Sequence, residues 1–198
     1  MSLLSDRAGK TSSVVVMPSA LEDPTKGPSG LLKMGVILFC AALFTFFGAL
    51  MLAFYFRAQE SAYWHRIRLP QMLWVSTNLI LASSVSFEAA RRLWRHGRQD
   101  LASRFLTITA CLGTAFLASQ LTAWRVLINQ GAYLKGNPFS SFFYIFTGLH
   151  ALHLLGGLIA LFFVIGGRKR RDVIDATAYY WHFLGVLWII LFAVLLFV

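Results

Sequence analysis

The run TGLHALHLLGGLIALFF, residues 147–163, and the closing run AYYWHFLGVLWIILF, residues 178–192, decide how this chain is read. Both are apolar enough to lie in a bilayer, yet together they hold three histidines, His150, His153 and His182. Ionisable residues within membrane segments are rare and costly, so they mark either a functional site or a tightly packed one. Everything upstream has the same apolar character. The 198 residues are 58% hydrophobic, 15% aromatic and only 13% charged, which is too apolar for a soluble domain. Crossing a hydrocarbon core of about 30 Å takes roughly 20 helical residues. Five stretches meet that length: 33–56, 70–90, 101–124, 139–166 and 176–198. The expected fold is therefore all-α, a polytopic bundle of five transmembrane helices over residues 33–198.

Residues 1–32 are rich in Ser, Pro and Gly and read as a flexible polar tail. Val14–Val15–Val16 is too short for the apolar core of a cleaved signal peptide, which runs about 7–15 residues. The formal net charge of +10 raises the question of nucleic acid, but its distribution answers it. Of the 18 Lys and Arg, 13 fall in the N-terminal segment through Lys33, in 91–104 and in 168–171, which alternate to one membrane face. The positive-inside rule places that face, and the N-terminus, in the cytoplasm, with the C-terminus outside. A basic surface that tracks topology calls for no nucleic-acid partner; it suits anionic phospholipid headgroups.

The second and third spans carry small and hydroxylated residues: Ser76, Thr77, Asn78, Ser83, Ser84 and Ser86, then Thr107, Thr109, Gly113, Thr114, Ser119, Gln120 and Thr122. Such residues let helices approach closely and hydrogen-bond, and Gln120 and Asn78 are placed to bridge to a neighbour. Cys40 and Cys111 both fall in spans without a CxxC or Cys/His zinc spacing, so neither a disulfide nor a metal is expected at them. Glu88 is the one carboxylate inside an expected span. Arg91 and Arg92 follow at i+3 and i+4, which favours an interfacial ion pair over a proton relay.

His150 and His153 share one face of the fourth span, and Gly157 continues it. Counting about 1.5 Å per residue from the span ends puts His153 and His182 about 10 Å apart in depth. That separation is too great for one metal ion with imidazole bonds near 2 Å. It also gives no pair of histidines at one level for a bis-histidine haem. The favoured role is packing, with neutral imidazoles hydrogen-bonded between helices.

The runs GLHALHLLGG and YYWHFLGVLW resemble the last two helices of the cytochrome c oxidase subunit III family of haem–copper respiratory oxidases. Upstream, GVILFCAALFTFFGALMLAFY (35–55), STNLILASSVS (76–86) and FLASQLTAW (116–124) resemble the preceding helices, in the five-helix form found in bacterial oxidases. The resemblance implies a subunit with no catalytic centre, haem or copper of its own. It implies haem and copper in partner subunits, direct packing against the catalytic subunit I beside subunit II, and bound phospholipid. The complex would pass electrons from cytochrome c or quinol to oxygen and pump protons across a bacterial inner membrane. The resemblance further marks Gln120, His150, His153, Gly157, Trp181, His182, Phe183 and Trp188 as family motif positions, and Arg168 as the contact for an anionic lipid headgroup. Three family acidic positions are replaced here, by Leu43, Ala123 and Gly185, which weighs against proton handling inside the subunit. Gly185 between Trp181 and Trp188 is expected to form a close-packing notch with aromatic walls. Two alternatives stand beside this reading: an accessory membrane subunit of nitric-oxide reductase, and a small haem-b membrane cytochrome ligated through His150 or His153.

Overall fold

The computed structural model describes residues 31–60, 69–131, 133, 138–167 and 171–197. These form five helices: α1 Leu31–Glu60, α2 Met72–Arg95, α3 Gln99–Asn129, α4 Pro138–Ile165 and α5 Arg171–Phe197. Four of them, α1, α3, α4 and α5, are long and apolar enough to cross a membrane. The expected tail, residues 1–32, lies outside the described residues except for Leu31 and Leu32.

The 24-residue α2 is the polar exception, and its packing explains why. It turns Ser76, Ser83 and Ser86 onto α3, the helix it lies along most closely. The Ser76 and Ser119 hydroxyls are 2.7 Å apart, Ser83 donates to the Thr109 carbonyl at 3.4 Å, and Ser86 donates to the Phe105 carbonyl at 3.0 Å. In a bilayer, where lipid supplies no hydrophobic force between helices, such contacts and the close approach they allow hold the pair together. A short turn joins the two helices. Its Gly97 has φ 76°, the left-handed conformation that ends helices and that a side chain disfavours.

The helices α2, α3, α4 and α5 surround a core of large rings, with Trp181, Trp188, Phe87, Phe116, Phe143 and Phe146 fully buried. From within this core α5 packs along α1, α2 and α4 and reaches α3 through the Trp181 and Trp188 rings. At the margin, α1 meets only α4 and α5 among the described helices and buries just Leu43, Phe47 and Phe54. Its other faces present Ile37, Leu38, Phe44, Phe46, Leu52 and Phe56 outward.

The helices overrun the apolar stretches because charged end residues stay helical. Arg92 and Arg95 occupy the last turn of α2, and Asp172 the first turn of α5. Each sign sits at the end where the helix dipole favours it.

Candidate functional site

One end of the bundle gathers the charges. Asp175 is 6% exposed on α5, and three cations from two other helices converge on it. Arg95 donates Nη2 to Asp175 Oδ1 at 3.0 Å, and Arg91 Nη1 lies 3.8 Å from the same oxygen. Lys33 of α1 places Nζ 3.5 Å from Asp175 Oδ2 and 4.0 Å from Asp172. Arg91 also donates Nε and Nη2 to Glu88 at 2.8 and 3.1 Å, and Arg92 donates Nε to Glu88 at 3.1 Å. The Arg91 guanidinium lies over the Tyr179 ring at 5.7 Å. His182 Nε2 approaches Glu88 at 3.7 Å.

The i+3 and i+4 pairing of Glu88 is therefore present as its spacing predicts. Glu88 is not the only carboxylate that helix packing draws in, however. Asp175 falls just before the apolar stretch expected to span, yet α5 begins at Arg171 and carries it into the bundle. Its signal in the sequence is faint, and the cations that neutralise it come from α1 and α2. A buried carboxylate persists only when paired and hydrogen-bonded. The outcome is an ionic clasp joining α1, α2 and α5, although α1 and α2 do not pack on each other.

The histidines occupy three separate environments. His150 is fully buried, its ring 5.8 Å from Phe116 and 5.1 Å from Trp188. His153 is half-buried, edge-on to Phe47 of α1 at 5.7 Å, and its Nδ1 pairs with the Leu149 carbonyl of its own helix at 2.6 Å. His182 faces Phe87 and Glu88 on α2. The expected hydrogen bonds between helices are corrected on this point. His153 bonds within α4, His150 has no hydrogen-bond partner among the described residues, and only His182 reaches a polar group on another helix.

The expected depth separation is also corrected. Gly157 faces Tyr180, Trp181 and Leu184, while His150 faces Trp188. That register leaves His182 about one turn, roughly 5–6 Å, from the level of His153. The two rings are kept apart by facing α2 and α1 respectively, more than by depth. Among the described residues, no group of three His, Cys, Asp or Glu stands together as a metal site.

The tryptophans of the last motif tie α5 to α2. Trp181 donates Nε1 to Ser83 at 2.9 Å, and Trp188 donates Nε1 to Thr77 at 3.1 Å. Trp124 likewise joins α3 to α4 by donating to Thr147 at 3.0 Å. Phe183 is half-buried against the core. Asn78 donates to the Trp74 carbonyl of its own helix at 2.9 Å, and Gln120 has no hydrogen-bond partner among the described residues, so neither bridges as expected.

Gly185 is a notch, but α2 fills it: a Cβ there would meet Ser84 Oγ at 3.1 Å, not an aromatic wall. Among the described glycines the tightest is Gly113, one of the small residues expected to let helices approach closely. A Cβ on Gly113 would stand 2.7 Å from the Trp181 ring. Leu43 and Ala123, at two of the replaced acidic positions, are both buried. Arg168 lies outside the described residues.

The arrangement is that of a multi-pass membrane bundle in which several polar residues, among them Ser83, Thr77 and Thr147, serve helix–helix contacts. The family model for cytochrome c oxidase subunit III matches residues 23–198, covering all five helices, and the chain belongs to that family. A probable cytochrome c oxidase subunit 3 of Mycobacterium tuberculosis is 33% identical over 183 residues, spanning 85% of this chain and 88% of the relative. The cytochrome c oxidase subunit 3 of Corynebacterium diphtheriae is 29% identical over 183 residues, with the same coverage. That of Synechocystis sp. is 29% identical over 178 residues, covering 84% of this chain and 75% of the relative. Membership makes this chain a multi-pass protein of a bacterial inner membrane and a component of an oxidase complex with other subunits.

Proposed function

We propose that this chain is a non-catalytic subunit of a bacterial haem–copper terminal oxidase. It packs directly against subunit I, lies beside subunit II, and keeps the catalytic subunit durable during oxygen reduction and proton pumping. Haem and copper belong to those partners. The observation that carries this reading is the family match across the whole bundle. The outward apolar faces of α1 support it, because a helix that buries so little within its own chain suits a neighbouring subunit or lipid. The motif residues act through packing: Trp181, Trp188 and Gly157 draw α5 onto α2 and α4, while His150, His153, His182, Phe183 and Gln120 fill the layers between.

The N-terminus lies in the cytoplasm in this proposal. Lys33, Arg91 and Arg95 meet at one end of the bundle, which supports a single basic face. Arg168 holds an anionic phospholipid headgroup at that face. The test is deletion of the chain from its native membrane. Oxidase lacking it keeps its haem and copper content and its initial rate per haem, then loses activity faster during turnover. Loss of haem or copper on deletion, or undiminished durability, overturns the proposal.

A further inference from the structure

Gln120 and His150 are both buried, at 1% and 0% exposure, and all four of their side-chain nitrogen and oxygen atoms lack a hydrogen-bond partner among the described residues. They come from facing helices. The α3–α4 contact is bracketed by the Trp124–Thr147 hydrogen bond and the Phe116–His150 ring contact. Gln120 stands one helical turn from both Trp124 and Phe116, and His150 three residues from Thr147, so the two unpartnered side chains share this layer.

The other polar groups nearby are already engaged. Thr147 donates to the Phe143 carbonyl at 2.7 Å and accepts from Trp124. Ser119 donates to the Phe116 carbonyl at 2.7 Å and contacts Ser76. Trp188, whose ring lies against His150, gives its N–H to Thr77. A buried amide or imidazole left unpaired is costly, and hydrocarbon offers no partner to relieve it.

We propose that Gln120 and His150 form an internal water site, in which one ordered water molecule bridges the amide of α3 and the imidazole of α4. The chemistry is complementary. Gln offers two donors and a carbonyl acceptor, neutral His offers one donor and one acceptor, and water can donate twice and accept twice. Buried waters make about three hydrogen bonds to otherwise unsatisfied groups. Phe116 and Trp188 bound the site with ring surfaces.

The test is an electron cryo-microscopy map of the protein in native lipid, with whatever subunits accompany it, at a resolution that shows ordered solvent. Density within hydrogen-bond distance of both Gln120 and His150 is the expected result. A direct Gln120–His150 hydrogen bond without such density overturns the proposal, as does each side chain bonding elsewhere. A second measurement uses Gln120→Leu, His150→Phe and the double variant, in which Phe retains ring contacts with Phe116 and Trp188. Each single variant orphans its partner and the water, so each lowers retention of the subunit during purification severalfold, while the double variant recovers toward wild type. Additive losses overturn it.

Discussion

Replacing Gly113 with alanine tests whether the α3–α5 contact is as tight as its geometry indicates. A Cβ at Gly113 would lie 2.7 Å from Trp181 Cη2, 2.9 Å from Cζ2 and 3.1 Å from Leu158 Cδ2. The indole has little room to withdraw. It is fully buried, held to Ser83 by its N–H at 2.9 Å, and packed edge-on to Phe87 at 6.1 Å. Forcing one extra methyl into such a core costs about 1–3 kcal/mol. Alanine in a helix also gains about 1 kcal/mol over glycine, which would mask part of that loss. Gly156→Ala supplies the control, because it makes the same change in a helix with nothing within 4 Å of the new Cβ. The propensity gain cancels between the two, leaving Gly113→Ala less stable by about 1–3 kcal/mol. Thermal unfolding of the two variants in the same detergent, with the subunit retained per haem scored alongside, reads the difference. Equal or greater stability of Gly113→Ala would refute the packing argument.

Four further outcomes follow from the same geometry. Asp175→Asn should destabilise by about 3 kcal/mol, the lower end for breaking a buried ion pair, because Arg91 keeps Glu88 and Arg95 is partly solvated; denaturant unfolding of the purified chain checks it. Arg92→Ala removes a partner that is 74% exposed and should change stability by less than about 1 kcal/mol, an amount that shrinks further in high salt. Trp181→Phe keeps a large ring but leaves Ser83 without its indole donor, for an expected loss of about 1–3 kcal/mol in the same assay. Arg168→Ala should lower the anionic lipid that co-purifies while leaving haem content unchanged, read by lipid mass spectrometry against pigment absorbance.

The fold was largely legible because membrane helices announce themselves in composition, and because runs such as GLHALHLLGG keep polar residues at fixed helical spacing. Glu88 with Arg91 and Arg92 was legible for a similar reason, since an i+3/i+4 pair is local. Asp175 was not. Its neutralising partners, Lys33, Arg91 and Arg95, are far away in the chain, and only tertiary packing makes a buried carboxylate of a residue that reads as a loop. Gly113 was legible as a small residue suited to close approach, but its partner was not. One glycine among apolar neighbours says nothing about which side chain will occupy its notch, and Trp181 arrives from a helix 58–84 residues downstream. The histidines reveal a further limit: counting from the expected span ends overstated the depth between His153 and His182, and whether each ring meets α1, α2 or α3 depends on helix rotation. That rotation gives His150 an aromatic cage, His153 a bond within its own helix and His182 a carboxylate.

The most direct test of the central claim is purification of the tagged chain from its native membrane in mild detergent, with its companions identified by mass spectrometry. The expected companions are a haem–copper oxidase catalytic subunit and a copper-bearing subunit in fixed stoichiometry, with all visible absorbance following those partners. Recovery of a nitric-oxide reductase catalytic subunit, or of this chain alone and coloured, would contradict that claim.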